Sequence, residues 1–452
     1  MGTIAAIATA PGVGGVGIIR ISGPQALASV APFVSKALLS KVKAQPRTML
    51  GFSFADPHDG MILDQGLLVY FKAPFSYTGE DVLELHLHGN PVILHSILGK
   101  LQDTGVRLAA PGEFTRRAFL NGKMDLLQAE SVQAMVEARS AEILRRSVRQ
   151  HQGYLSRELG DIRSRLLEML ARIEVSLDYP EEHSTDSLRQ MLLECVDQCG
   201  AVLKGLMAGQ SKVLHLQQGV RAVIAGQPNA GKSSVFNALL GEHRALVAET
   251  PGTTRDQVEA DVLIDEFRLS LVDTAGLRQA ADVVEQMGIE KTKQALATAS
   301  VVLYVVDVSK GIQDEDRAWI QRVDEYDIPR LLVFNKLDLS VSTQTKVASE
   351  GIFISAKTAS GLETLKSRIV ELVQKNYLQD TGAYLLNQRQ LGHLQASLND
   401  LNVLKGDLST GHPIDLWTIG LRSAVQALSN ISGENVTEAI LDSIFSRFCV
   451  GK

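Results

Sequence analysis

The sequence predicts a multidomain protein: an amino-terminal α+β domain, then an all-α helical domain, with an α/β domain carrying a mostly parallel, doubly wound sheet inserted into the helical one. Three observations carry this. Residues 1 to about 121 hold short β-branched runs broken by glycines and turn signals. From Met124 onward, apolar residues recur at three- and four-residue steps, the spacing of one helix face. Between residues 219 and 376, short apolar runs alternate with helical stretches, the signature of a βαβ architecture. A length of 452 residues, at about 150 per domain, suits three domains. The expected boundaries are 1–121, 122–218, 219–376 and 377–452, the last returning to the helical domain.

Taken in order, Thr3–Ala8, Gly17–Ile21, Leu67–Phe71 and Val82–His86 read as strands, and Val92–Gln102 as a helix. Gly12-Val13-Gly14-Gly15-Val16-Gly17 spells a dinucleotide fingerprint, but Ile18-Ile19-Arg20-Ile21 follows where a helix is required. A Gly-rich hairpin connection is the better reading. Leu126 to Leu177 contains no proline, and Ile143, Leu144, Val148, Leu155, Leu159, Ile162, Leu166, Leu170 and Ile173 predict two or more amphipathic helices. Ser187–Leu216 and Ala383–Phe448 continue this texture, while Val220–Ala225, Phe267–Val272, Val301–Val306 and Leu331–Phe334 read as strands.

Composition excludes several classes. Hydrophobic residues are 45% and charged residues 21%, ordinary for a folded chain. A net charge of −6 excludes a globally basic surface and leaves room for a local basic patch. The longest apolar runs, such as Val301–Val306, fall far short of the ~20 residues that span a bilayer. No signal-peptide pattern opens the chain, and three cysteines build no disulfide framework, so a reduced, cytoplasmic protein with no membrane partner is expected. Glu84, His86 and His88 share one strand face, but no Cys or third His stands at ligand spacing, so zinc is not the preferred reading. Cys195 and Cys199, four apart on a helix, read as core residues. The terminal Phe448-Cys449-Val450-Gly451-Lys452 places a thiol and a cation at a chain end, where a frayed tail is the default.

Chemistry concentrates in the third region. Gly226-Gln227-Pro228-Asn229-Ala230-Gly231-Lys232-Ser233 follows a strand and opens a helix at Ser234. That is a phosphate-binding loop in its required context, with Lys232 reaching the β- and γ-phosphates and the Ser233 hydroxyl ligating Mg²⁺. Asp273-Thr274-Ala275-Gly276 ends a strand, placing Asp273 to hold Mg²⁺ through water and Gly276 to sense the γ-phosphate. Asn335-Lys336-Leu337-Asp338 ends another. Asp338 accepts from the two edge N–H donors of guanine, which adenine lacks, and the Lys336 stem covers the base. Ser355-Ala356-Lys357 supplies a backbone N–H for the guanine oxygen. Together these ordered segments specify GTP. Gly252-Thr253-Thr254-Arg255-Asp256 lies where a first switch belongs. Leu277 occupies the position where Ras-type enzymes orient water with Gln, so another group must do so; Glu285, Gln286 and Glu290 follow. Asn229 sits within the phosphate loop, where its amide oxygen could hold a monovalent cation against the phosphates or serve only to stabilise the loop.

The whole chain resembles the MnmE (TrmE) family of tRNA modification GTPases. The resemblance rests on Ala10-Pro11-Gly12-Val13-Gly14-Gly15-Val16-Gly17-Ile18-Ile19-Arg20-Ile21-Ser22-Gly23, on Thr78-Gly79-Glu80-Asp81-Val82-Leu83-Glu84-Leu85, and on Pro111-Gly112-Glu113-Phe114-Thr115-Arg116-Arg117-Ala118-Phe119-Leu120-Asn121. The GTPase loops and the terminal Cys449-Val450-Gly451-Lys452, a C-x-G-K end with Val450 where Ile is common, complete it. It implies a homodimeric, K⁺-dependent GTPase that modifies the wobble uridine of tRNA at C5 together with an FAD-binding partner, MnmG (GidA). The one-carbon donor is 5-formyl- or methylene-tetrahydrofolate, bound by the amino-terminal domain, which also forms the dimer. By position, Arg20, Glu84, Lys123 and Lys452 look like its folate-binding residues, a carboxylate suiting the pterin edge and cations the glutamyl tail. The resemblance also implies that Ala248-Glu249-Thr250-Pro251-Gly252-Thr253-Thr254 lies against the nucleotide. Asn229, Ala248, Thr250 and Thr253 would then surround K⁺, Ser233 and Thr254 would bind Mg²⁺, and Glu285 would position water. Glu249 and Pro251 are this chain's departures within that loop. The competing expectation is a GTPase switch in regulation or ribosome assembly, with no part in base chemistry.

Overall fold

A computed structural model describes residues 2–179, 185–210, 220–241, 258–265, 267–273, 299–325, 328–339, 351–378, 384–410 and 412–451. The chain divides into two compact units. One comprises Met1–Val136, Val148–Gly200 and Arg389–Lys452; the other comprises Glu137–Ser147 and Ala201–Gln388.

The first unit holds a six-stranded sheet in the order β3-β4-β5-β2-β1-β6. Its strands are β1 (Ile4–Ile7), β2 (Gly14–Ser22), β3 (Leu50–Ala55), β4 (Ile62–Phe71), β5 (Val82–Gly89) and β6 (Arg107–Leu108). All pairings are antiparallel except β1–β6. Period-two burial explains the sheet: Ile19, Ile21, Leu83, Leu85 and Leu87 enter one core with Leu94, Ile97 and Leu101 of α3 (Pro91–Asp103). The alternate residues Arg20, Glu84 and His86 face the other way. The glycine-rich segment differs from the expected connection. β2 already begins at Gly14, with an irregularity between Gly14 and Gly17. A Cβ on Gly89 would stand 2.4 Å from the Gly14 carbonyl oxygen, so the two backbones pack here without side chains.

Two short helices, α1 (Ala26–Val30) and α2 (Lys36–Ala44), and α4 (Glu113–Leu120) complete the amino-terminal part. The helical part of this unit contains α5 (Leu126–Glu137), the end of α6 (Ala141–His151), α7 (Tyr154–Asp178) and most of α8 (Thr185–Met207). It also contains α12 (Gln388–Thr410), α13 (Ile414–Ser432) and α14 (Glu438–Phe445). Leu155, Leu159, Ile162, Leu166 and Ile173, the periodic residues of the sequence, are all buried on α7. Cys199 is buried and Cys195 half-buried, their sulfurs 4.0 Å apart.

The second unit is a six-stranded sheet in the order β12-β11-β10-β7-β9-β8. The strands are β7 (Val220–Gly226), β8 (Val258–Ile264), β9 (Phe267–Asp273), β10 (Val301–Asp307), β11 (Arg330–Asn335) and β12 (Gly351–Phe353). Every pairing is parallel except the β8–β9 edge hairpin. α9 (Lys232–Leu240) and α10 (Asp314–Glu325) lie between strands in sequence, and α11 (Leu362–Val373) follows the last strand. The parallel strands β7, β10 and β11 are buried on both faces, which is why they read as unbroken apolar runs rather than alternating ones. The segment 137–147 joins this unit through Ile143 in its core and through the Arg268 N–H, which donates to the Arg139 carbonyl at 3.0 Å.

A half-buried ion pair closes the helical part of the first unit. Arg389 on α12 donates to both carboxylate oxygens of Glu130 on α5 at 2.9 and 2.8 Å, and also to the carbonyls of Asn430 and Ile431. Burial, with Arg389 nearby, holds His393 below the usual histidine range despite the opposing Glu130 carboxylate. Glu130→Ala leaves a guanidinium without its carboxylate and should cost about 3 kcal/mol of stability, whereas Glu130→Leu combined with Arg389→Met should recover most of that loss. Urea denaturation of the three proteins checks this; a single variant as stable as the parent would refute it.

Candidate functional site

The nucleotide-binding segments converge at the carboxyl ends of β7, β10 and β11. Gly226 leaves β7 at φ +144°, and a Cβ there would lie 2.2 Å from the Val305 carbonyl oxygen. Gly231, at φ +93°, precedes α9; a Cβ there would lie 2.3 Å from Asn335 Nδ2. Both positions therefore require glycine for conformation and for space. Asn229 also adopts positive φ, +64°, at the exposed crown of the loop, a conformation that asparagine tolerates better than most residues. Lys232 is buried in the first turn of α9 and donates to the carbonyls of Gly226 and Gln227 at 3.0 and 2.8 Å. Ser233 and Ser234 follow it, exposed at the helix N-terminus, where backbone dipoles favour an anion.

Asn335 joins three of the expected segments. Its side chain is buried; Nδ2 donates to the Ala230 carbonyl at 3.1 Å, and Oδ1 accepts the Ala356 N–H at 3.0 Å. Lys336, at φ +68°, donates to Asp307 at the end of β10 at 2.7 Å. Burial opposes ionisation of Asp307, but Lys336 and Ser309 outweigh it and hold the carboxyl below its usual range. Asp338 is exposed, and Ser355 Oγ donates to its Oδ1 at 2.6 Å. That hydrogen bond lowers the Asp338 pKa, leaving a carboxylate with one oxygen oriented by the protein. Leu337 and Lys357 flank this rim, exposed. The Ser355–Asp338 bond is the contact that sequence reasoning missed; the sequence assigned Ser355 only to the loop whose backbone meets guanine.

Part of the expected site lies outside the described residues: Ala248 through Thr254, Thr274, Ala275, Gly276, Glu285 and Lys452, as do Leu277, Gln286 and Glu290. Asp273 closes β9, and its side chain is outside the described set.

A second constellation forms on the polar face of the amino-terminal sheet. Arg20 on β2 donates from Nε to Glu84 Oε1 on β5 at 2.8 Å and from Nη1 to the Gly451 carbonyl at 3.1 Å. Its guanidinium lies 5.9 Å from the Tyr77 ring centroid and 5.8 Å from that of Phe114. His86 Nε2 meets the other Glu84 oxygen at 3.3 Å, and His88 Nδ1 meets Asp64 at 2.7 Å. Thus Glu84, His86 and His88 are engaged with partners of their own, and among the described residues no three metal-ligating groups cluster. The carboxy-terminal segment is no frayed end. Gly112 donates to the Cys449 carbonyl at 3.3 Å, and Gly451 is buried at φ +95°, where a Cβ would lie 2.6 Å from the Ile7 carbonyl oxygen. Cys449 itself is exposed. Lys123 donates to the Pro74 carbonyl at 3.0 Å.

The two amino-terminal sequence motifs meet beneath this cluster. Glu80 accepts from Ser22 at 2.8 Å and from Arg117 at 2.9 Å, and Arg117 also reaches Glu113 at 2.9 Å. Arg117 is 1% exposed, so its charge is balanced wholly inside the protein.

Two family models match the chain: the GTP-binding protein TrmE N-terminus over residues 3–123 and the MnmE helical domain over residues 126–449. Relatives match end to end. The tRNA modification GTPase MnmE of Carboxydothermus hydrogenoformans is 39% identical over 100% of this chain and 99% of its own length. Those of Chromobacterium violaceum and Nitrosomonas eutropha are 40% and 41% identical, again over 100% of this chain, covering 98% and 99% of theirs. Among solved structures, the G domain of the T. maritima FeoB iron transporter is 27% identical over 34% of this chain and 99% of that chain, with a TM-score of 0.27.

Asp338→Asn presents an amide donor where the carboxylate accepted, and should shift nucleotide preference from GTP toward XTP by about two orders of magnitude. Competition binding with the two nucleotides reads the shift; an unchanged ratio would mean Asp338 does not read the base.

Proposed function

The chain belongs to the MnmE family of tRNA modification GTPases, and on that premise we propose that it couples GTP hydrolysis to folate-dependent modification of the wobble uridine at C5. The product class is an aminomethyl-type group, carboxymethylaminomethyl included, built with an FAD-binding MnmG-type partner by a homodimer acting in the cytoplasm. The observation that carries this reading beyond GTP hydrolysis is the Arg20–Glu84 pair, walled by Tyr77 and Phe114 and closed by the Gly451 carbonyl. A nucleotide switch needs no such cluster. Its chemistry suits a reduced folate: a carboxylate to pair with the N–H edge of a pterin, and a cation for the glutamyl tail. When bound, the folate supplies the one-carbon unit. This chain's part is to orient it and exclude water.

In the nucleotide site, Lys232 and the α9 N-terminus bind phosphate, Asp338 selects guanine, and Ser233 with Thr254 would hold Mg²⁺. Ser233 fits that role, since it follows Lys232 in the first turn of α9 with its side chain exposed. With Leu277 unable to orient water, Glu285 takes that task in this reading. Asn229 is the donor for K⁺, an amide held by positive φ at the crown of the phosphate loop. A monovalent cation supplies positive charge where an arginine finger would otherwise be needed.

Two experiments test these assignments. Isothermal titration of the full chain with 5-formyltetrahydrofolate should show binding, weakened at least tenfold in Arg20→Ala; no heat with the parent protein would favour the switch reading. GTP turnover should rise in K⁺ relative to Na⁺ at equal ionic strength, and Asn229→Ala should abolish the difference. Equal rates of the parent in both salts would eliminate the cation mechanism.

A further inference from the structure

We propose that Asp307 is a positioning residue for the guanine base, acting through Lys336: it anchors the lysine ammonium and so holds the lysine stem at the base site. The proposal rests on the GTP-binding reading above and deepens it. Asp307 ends β10 and is paired in register with Asn335, which ends β11; the Val308 N–H donates to the Asn335 carbonyl at 2.9 Å. Lys336 is therefore the first residue past the sheet edge on the neighbouring strand. It adopts φ +68°, a left-handed conformation uncommon for lysine. Its Nζ donates to Asp307 Oδ2 at 2.7 Å, and its Cε lies 4.0 Å from where a Cβ on Gly231 would stand. The stem thus leaves the end of β11, comes beside the phosphate loop and finishes at the end of β10.

The carboxylate that receives the cation is itself fixed. Asp307 Oδ1 accepts from the Ser309 N–H and hydroxyl at 3.0 and 2.6 Å, which leaves Oδ2 to Lys336. The Asp307 carbonyl accepts from the N–H groups of Lys310 and Gly311 at 3.0 and 3.1 Å, so the backbone that carries the side chain is held as well. The Asp307 side chain is only 10% exposed, whereas that of Lys336 is 28% exposed and can still be reached by a ligand. A lysine stem free in solvent samples many rotamers and loses that freedom when a ring settles against its methylenes. An anchored stem has less to lose, so part of the ordering cost of binding is met by the fold. Asp338 addresses the edge of the base; Asp307, through Lys336, addresses its face.

The test is equilibrium binding of GDP and GTP by the full chain, read by displacement of a fluorescent guanine nucleotide, with circular dichroism checking that each variant folds. Asp307→Asn keeps an acceptor for the Ser309 turn and removes the charge that holds Lys336. It should weaken both nucleotides about tenfold and leave the GTP-to-XTP preference as in the parent, because the base edge is addressed elsewhere. Lys336→Met keeps an apolar stem without its anchor and should lose about as much. The two substitutions together should cost no more than either alone, since Asp307 acts only through the lysine. Ser309→Ala touches the turn and spares the ion pair, so its affinity should stay within about twofold of the parent. Losses that multiply to about a hundredfold in the double variant would overturn the proposal, as would Ser309→Ala weakening binding as much as Asp307→Asn. Parent-like affinity in Lys336→Met would overturn it even if Asp307→Asn did not fold. Each of those results leaves the GTP-binding reading standing; a parent protein that binds no guanine nucleotide would bring down both.

Discussion

The buried carboxamide of Asn335 is the constraint on which the nucleotide site depends. One side chain donates to the phosphate loop through Ala230 and accepts from the guanine loop through Ala356. Asn335 itself stands at the end of β11. An amide supplies donor and acceptor from a single planar head, so neither Asp nor Leu replaces it without orphaning a buried backbone group. The close approach of Gly231 follows from the same contact, because the amide nitrogen occupies the space a Cβ would need. Phosphate binding and base recognition are thereby set at a fixed separation before any nucleotide arrives.

The amino-terminal sheet shows a similar economy with charge. Arg20 and Arg117 both emerge into low-dielectric surroundings, and each meets carboxylates drawn from other elements: Glu84 for the first, Glu80 and Glu113 for the second. Arg117 is locked among its acids and serves packing. Arg20 keeps aromatic rings and a backbone carbonyl around it and stays partly exposed, its side chain 23% accessible.

Legibility in the sequence followed the physics of each element. The parallel strands β7, β10 and β11 were plain because burial on both faces leaves them continuously apolar. β8 was passed over because, as an edge strand, it carries Glu259 and Asp261 among its apolar residues. β6 and β12 are two and three residues long and have no periodicity to detect. The phosphate loop and guanine loop were legible because chemistry there demands particular residues at particular spacing. The tucked carboxy-terminal segment was not, because nothing local distinguishes Val450-Gly451 from a loose end; its order comes from Arg20, more than four hundred residues earlier. Nor does texture alone reveal that 137–147 packs with the GTPase sheet, since the attachment is made by long-range contacts: Ile143 and Ala138 against the core, the Arg268–Arg139 backbone hydrogen bond and the bridge between Ser140 and Phe267.

The Arg389–Glu130 pair has a bearing on how the chain is made. The two residues are separated by 259 positions, so at roughly 10 residues per second a ribosome needs about half a minute between them. Throughout that interval α5 has been synthesised but its carboxylate has no cation, and the carboxy-terminal helices that will pack with it do not yet exist. The inserted α/β unit, contiguous from Ala201 to Gln388 apart from one short upstream segment, is complete just as Arg389 is added. Synthesis therefore favours a sequence in which the inserted unit folds first and the helical part closes last, once the final sixty-odd residues have been made.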